Sequence, residues 1–205
     1  MKLYLSPGSC SLSPHIALRE AGLAFELERV DLKDKVTASG RNYREINPMG
    51  SVPALELDDG QVLTEGPAIV QYIADRKPEA KLAPPPGTVE RYRLAEALNF
   101  VCSEVHKAFA PLFWSKAPDV QALFRGKLAS AFANIENKRL AAKPYLMGDA
   151  PTVADFYLYA VTNRWPQVHQ IDMSPYPRLR DLIARIAARP AVQAAHAAEK
   201  ALQAA

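Results

Sequence analysis

The chain has 205 residues, 49% of them apolar and 23% charged, with a net charge of +3. That length buries one large core or two small ones, and the composition excludes a disordered, collagen-like or coiled-coil chain. No apolar run approaches the roughly 18 to 20 residues that span a bilayer, and MKLYLSPGSC meets Ser6, Pro7 and Gly8 before a signal-peptide core could form. A cytoplasmic protein with no membrane partner is expected. Basic residues alternate with acids, and the densest basic run, RLRDLIARIAARP, keeps the spacing of a solvated helix face, so no nucleic-acid partner is expected. Cys10 and Cys102, one in each half, suit thiols in a reducing compartment. His15, His106, His169 and His196 show no ligand spacing, and no metal is expected.

In chain order, KLYL at 2–5 predicts a strand and SPGS a turn. SLSPHIALREAG predicts a helix with Leu12, Ile16 and Leu18 apolar and Gly22 at its end. FELERVDL at 25–32 predicts a half-buried strand, completing a βαβ unit. After a polar stretch containing Lys33, Lys35 and Arg41, residues 52–57 predict a strand, Asp59-Gly60 a hairpin turn and 61–64 the returning strand. Glu65-Gly66-Pro67 then opens a helix whose apolar stripe is Ile69, Tyr72 and Ile73, so this half reads βαβ-ββα. PEAKLAPPPGT, with four prolines and a glycine, reads as a linker. Everything beyond it predicts helices, including one long helix over RYRLAEALNFVCSEVHKAFAPLF. A capping box, Thr152 to Asp155, starts a buried helix through Phe156, Tyr157, Leu158 and Tyr159. The organisation is therefore an α/β domain at 1–78, a Pro-rich linker at 79–87 and an all-α domain at 88–205.

Four places carry residues suited to chemistry. Cys10 stands between a strand-turn and a helix, where orphan N–H groups and the positive dipole end favour a thiolate. Ser13 occupies the position of a resolving cysteine, so Cys10 can form a mixed disulfide but no local internal one. A small inert residue at a turn fits the same placement, and both readings stand. Val52-Pro53 has the X-Pro bond that leaves the preceding N–H and C=O unpaired for an extended peptide, or is an edge-strand proline. Glu65 suits a ligand ammonium and Gly66 a ligand carboxylate, although an acid is also common at any helix N-terminus. Asn99, Ser103 and His106, at i, i+4 and i+7, make a polar stripe that is either a functional face or a solvated one. Phe109, Phe113 and Trp114, at helical spacing from His106, are walls of an apolar cleft or parts of a core.

Taken in order, the turn with Cys10, Val52-Pro53 before a hairpin, TEGP opening a helix, the Pro-rich linker and the capped helical half resemble a cytosolic glutathione S-transferase. KLYLSPGSCSLSPHIALREAGL is most similar to the bacterial beta class. The resemblance implies a thioredoxin-like N-terminal domain, an all-α C-terminal domain, a homodimer and glutathione as co-substrate. It places Cys10 and His106 at the thiol, Val52 ahead of a cis Pro53 on the cysteinyl backbone, Glu65 with Gly66 on the γ-glutamyl end and Lys35 on the glycyl end. Lys107 would approach with His106, and Asn99, Ser103 and Glu104 would reach glutathione from the partner subunit. Gly66 departs from the serine common in the superfamily, and Tyr4, Ser9 and Ser11 leave the thiol-activating group open. The implied activity is conjugation of glutathione thiolate to small hydrophobic electrophiles. The alternatives are glutaredoxin-like exchange through a Cys10 mixed disulfide and a non-catalytic binding protein of the same fold.

Overall fold

The structure, a computed structural model, describes residues 1–204. Packing divides it into two units, residues 1–83 with 188–204 and residues 84–187. The last helix, α9 (Pro190–Ala204), therefore groups with the first unit, whereas the sequence pattern assigned it to the helical domain. Ala205, the end of that expected domain, lies outside the described residues.

The first unit holds β1 (Lys2–Leu5), α1 (Leu12–Glu20), β2 (Glu26–Asp31), β3 (Val36–Thr37), β4 (Ala54–Glu56), β5 (Val62–Thr64) and α2 (Gly66–Arg76). The strands form one mixed sheet in the order β3-β2-β1-β4-β5. β1 runs parallel to β2, as the βαβ unit requires, and antiparallel to β4, while β4 and β5 form the hairpin. Leu3, Tyr4 and Leu5 are fully buried because β1 is central and covered on both faces. α1 packs against both α2 and α9. Its end follows the sequence: Gly22 takes φ of +64°, and the Leu23 N–H closes back on the Leu18 carbonyl at 3.1 Å.

β3 and a single 3₁₀ turn over Tyr43–Glu45 lie in the stretch read as merely polar. β1 falls where the pattern put it, and β2, β4 and β5 do so with their ends shortened. The sheet order, with βαβ preceding ββα, is thioredoxin-like.

The second unit is helical: α3 (Val89–Phe100), α4 (Lys107–Trp114), α5 (Pro118–Asn134), α6 (Val153–Thr162), α7 (Trp165–Val168) and α8 (Pro177–Ala187). Each of the ten α6 residues is buried, so this helix is the unit's core. The expected single helix through residue 113 is interrupted. Residues Val101–His106 form a π-helix between α3 and α4, and Ile135–Arg139 form a second one after α5. Glu136, 4% exposed, lies in this second π-helix and accepts hydrogen bonds from the N–H groups of Arg178 and Leu179, both at 3.1 Å, satisfying orphan donors in the first turn of α8.

Candidate active site

One end of the sheet gathers the first unit's candidate residues. The register pairs Tyr4 with Ala54 and Ala54 with Thr64, so the chain leaving β1, the chain entering β4 and the chain leaving β5 meet at the same edge. These three segments carry Cys10, Val52-Pro53 and Glu65-Gly66 respectively.

The turn after β1 is held by its own serines. Ser11 Oγ donates to the Ser6 carbonyl at 3.2 Å and accepts from the Ser6 N–H at 3.1 Å, while Ser9 Oγ lies 2.7 Å from Ser11 Oγ. Both hydroxyls flanking Cys10 are thus committed to loop geometry. Tyr4, the remaining hydroxyl, is fully buried and donates to Glu56 Oε2 at 2.5 Å. Burial, then the bond and charge of Glu56, push its pKa well above the ordinary phenol value. Its one hydroxyl proton is given to Glu56, which leaves none to donate to a thiol. Cys10, partly buried and in no disulfide, donates its S–H to the Val52 carbonyl at 3.4 Å.

A polar relay buttresses the same turn. Glu199 of α9, 4% exposed, accepts from the Gly8 N–H at 3.1 Å and lies 3.1 Å from Nδ1 of fully buried His15, whose Nε2 accepts from Arg19 Nε at 2.9 Å. An acceptor role at Nε2 leaves Nδ1 as the protonated nitrogen, donating to the Glu199 carboxylate. Neither His15 nor Glu199 drew a role from the sequence. A lone acid in an Ala-rich helix has no pattern that marks it as buried.

The Val52-Pro53 peptide bond is cis. The loop before it is fixed from the 3₁₀ turn: Tyr43 Oη and Asn47 Nδ2 both donate to the Ser51 carbonyl, at 2.9 and 2.7 Å. Lys35 Nζ donates to the Gly50 carbonyl at 2.9 Å, which brings the lysine within two residues of Val52. Tyr43 and Asn47 were missed in the sequence, because tertiary contacts alone reveal that they brace this loop.

Glu65 occupies the N-cap of α2 but makes no capping bond, and its backbone sits at φ 65°, ψ 113°. Non-glycine residues reach such conformations at a cost of about 1–3 kcal/mol. The side chain is exposed and makes no hydrogen bond or ion pair among the described residues. The ordinary explanation for an acid at a helix start, capping, is therefore absent. Gly66 follows as the first residue of α2, where a backbone N–H has no intrahelical acceptor.

In the second unit the π-helix reshapes the expected stripe. Asn99, Ser103, Glu104 and Lys107 are exposed, and Ser103 Oγ donates to Glu104 Oε1 at 2.9 Å. His106 instead turns inward. Its Nδ1 shares a 2.7 Å hydrogen bond with the Tyr157 hydroxyl, and its ring lies 5.3 Å from that of Trp165. Wider i→i+5 turns rotate residues away from an α-helical stripe, which accounts for the split. Phe109, fully buried against Phe132 and Trp165, is core. Phe113 and Trp114, 49% and 71% exposed, remain available as walls.

Burial, assisted by the Lys107 charge, lowers the His106 pKa to about 4, so the imidazole is neutral at pH 7. In that state it meets the Tyr157 hydroxyl through a hydrogen bond and carries no charge. The pKa lies below its unfolded value of about 6.5, so the stabilisation it brings is complete above pH 6.5 and is lost as pH falls through 4. Urea unfolding between pH 7 and 4 is expected to cost the wild type about 3 kcal/mol more than His106→Gln over that interval. Equal losses in the two proteins would contradict a buried neutral imidazole.

Among the described residues, no group of three metal-ligating side chains comes together, and no helix is long and apolar enough to cross a membrane.

Comparison with known proteins matches residues 8–76 to the glutathione S-transferase N-terminal domain and 103–199 to the glutathione S-transferase C-terminal domain. The chain belongs to the glutathione S-transferase family. The transferase is 40% identical to glutathione S-transferase GstA of Escherichia coli O157:H7, over 97% of this chain and 98% of that one. The ternary complex of BphK, a bacterial GST, superposes with a TM-score of 0.95 at 52% identity, covering 98% of this chain and 100% of that one. The sphingomonad glutathione S-transferase complexed with glutathione gives 0.93 at 47% identity, with 98% and 99% covered. These neighbours are bacterial, in keeping with the beta class that the N-terminal motif resembles.

Proposed function

We propose that this transferase conjugates the thiolate of glutathione to small hydrophobic electrophiles, as a cytoplasmic homodimer. The observation that carries the reading is the convergence, at one end of the sheet, of Cys10, the cis Val52-Pro53 loop and the uncapped, strained Glu65. In this reading, Val52 pairs with the cysteinyl backbone, Glu65 receives the γ-glutamyl ammonium, the Gly66 N–H faces its carboxylate and Lys35 meets the glycyl carboxylate. Each ligand group then finds a complementary protein group.

Thiolate formation needs a pKa brought from about 8.5 towards neutrality. The turn preceding α1 supplies backbone dipoles, and neutral His106 supplies a hydrogen bond. Lys107 adds positive charge on the helical unit. Asn99, Ser103 and Glu104, exposed on that unit, are assigned to the glutathione of the partner subunit, and Phe113 and Trp114 to the electrophile. The N-terminal unit is thus the glutathione domain, and the helical unit carries the electrophile and dimer contacts.

The Cys10 thiol lies against the Val52 carbonyl, a placement that suits a hydrogen-bond partner of the glutathione sulfur. Cys10→Ala is therefore expected to retain conjugation of an aromatic halide within about tenfold, the worth of one hydrogen bond, and to lose any reduction of a glutathione mixed disulfide. Loss of both activities together would give Cys10 the leading role and overturn this assignment in favour of thiol–disulfide exchange.

A further inference from the structure

A row of rings in the helical unit leads from His106 to two cations that lack an anionic partner. The Trp165 ring lies 5.3 Å from that of His106 and 5.3 Å from that of Phe113, which meets the His169 ring edge-on at 4.3 Å. Fully buried Phe109, 5.4 Å from Trp165 and 6.0 Å from His169, backs the row. Phe113 is 49% exposed and Val168, next to His169 in the chain, 52% exposed, so the other side of the row is an open apolar wall.

The cations stand at the His169 end. Gln121 Nε2 donates to the Ser115 carbonyl at 2.7 Å and to the Leu112 carbonyl at 3.4 Å, which ties the loop bearing Lys116 to α5. Arg125 lies one turn beyond Gln121 on the same side of that helix. Both charges reach the His169 ring: burial, then Arg125 and Lys116, push its pKa down, with no carboxylate charge opposing them. Lys116 and Arg125 are exposed, and neither forms an ion pair or side-chain hydrogen bond among the described residues. Asp119, the acid nearest to Lys116 in the chain, pairs with neither of them. A surface cation is ordinarily just solvated, but two that face one end of an exposed aromatic wall suit a ligand with an apolar body and an anionic tip. Resting on the conjugation reading above, we propose that the electrophile is an elongated aromatic acid, its reacting carbon at the His106 end of the row and its carboxylate or sulfonate received by Lys116 and Arg125. In the reaction of an aryl halide, the glutathione sulfur bonds to the activated ring carbon, halide leaves and the thiol proton passes to solvent. The acid group is unchanged, so Lys116 and Arg125 touch no reacting atom and act as specificity residues.

The test compares 4-(4-chloro-3-nitrobenzoyl)benzoate with its methyl ester, which share a reacting carbon and differ in the remote charge. Wild type, Lys116→Gln, Arg125→Gln and the double variant are assayed against both, each rate taken relative to the uncatalysed reaction and each protein shown to be folded by thermal denaturation. Wild type is expected to favour the carboxylate about tenfold in kcat/KM, chiefly through KM, and each single variant to lose about threefold of that preference. The double variant is expected to lose the preference, with its rate on the ester within about twofold of wild type. Raising the salt to about 0.5 M is expected to erode the wild-type preference and leave the double variant unchanged. Equal kcat/KM for the two substrates in wild type, or an unchanged preference in the double variant, would overturn the acid seat. So would turnover of 1-chloro-2,4-dinitrobenzene with neither longer substrate accepted, and in each of these cases conjugation itself stands. Wild type conjugating none of the three would instead overturn the conjugation reading, and this seat with it.

Discussion

Glu65→Gln is expected to lower kcat/KM for glutathione about fiftyfold, the loss of one charge-assisted contact to an ammonium, while unfolding stability stays within about 0.5 kcal/mol of wild type. The two halves of this expectation have the same source. Glu65 makes no capping bond, no ion pair and no side-chain hydrogen bond among the described residues, so glutamine of the same shape removes nothing from the fold. What it removes is the negative charge, held at a backbone conformation whose strain it leaves in place. Kinetics at varied glutathione and urea unfolding of both proteins check the two halves. A fall in stability with activity preserved would return Glu65 to the role of an ordinary helix-start acid.

The largest stability effect is expected at Asp155. It is fully buried, its Oδ1 accepting from the Leu146 N–H at 2.8 Å and its Oδ2 from the Thr152 N–H at 2.8 Å and the Thr152 hydroxyl at 3.0 Å. Alanine would strand three donors at residues that are themselves buried, each at about 1–3 kcal/mol, and Asp155→Ala is expected to lose about 4 kcal/mol. Asp155→Asn keeps an acceptor on one side and turns an amide against donors on the other, so about 2 kcal/mol is expected. The damage falls on α6, the core of the helical unit, where little can relax. Urea midpoints of the three proteins rank these costs. Equal midpoints for wild type and Asp155→Ala would mean that the loop before α6 finds other acceptors.

Much of this was legible because local rules and global fold agree. The strand at 2–5, the Gly22 stop, the Asp59-Gly60 turn and the Pro67 helix start each have a steric or hydrogen-bonding cause confined to a few residues. The order of Cys10, Val52-Pro53 and Glu65 was readable too, and the register of β1, β4 and β5 explains why that order brings them to one end of the sheet. What escaped depends on distant partners. The brace from Tyr43 and Asn47 to Ser51 involves residues with no periodicity, in a segment whose strand is only two residues long. Docking of α9 through Glu199 is set by a buried polar contact that an Ala-rich pattern conceals. The π-helix at 101–106 has no compositional signature, so a stripe drawn at α-helical spacing put His106 beside Asn99 and Ser103 when it turns to Tyr157 and Trp165.

The central claim is that the end of the sheet carrying Cys10, Val52 and Glu65 holds glutathione. Its most direct test is calorimetric titration of the wild-type protein with glutathione at pH 7. Saturable binding at one site per chain, weakened by Glu65→Gln, is the predicted result; the absence of saturable heat, or binding indifferent to Glu65→Gln, would contradict it.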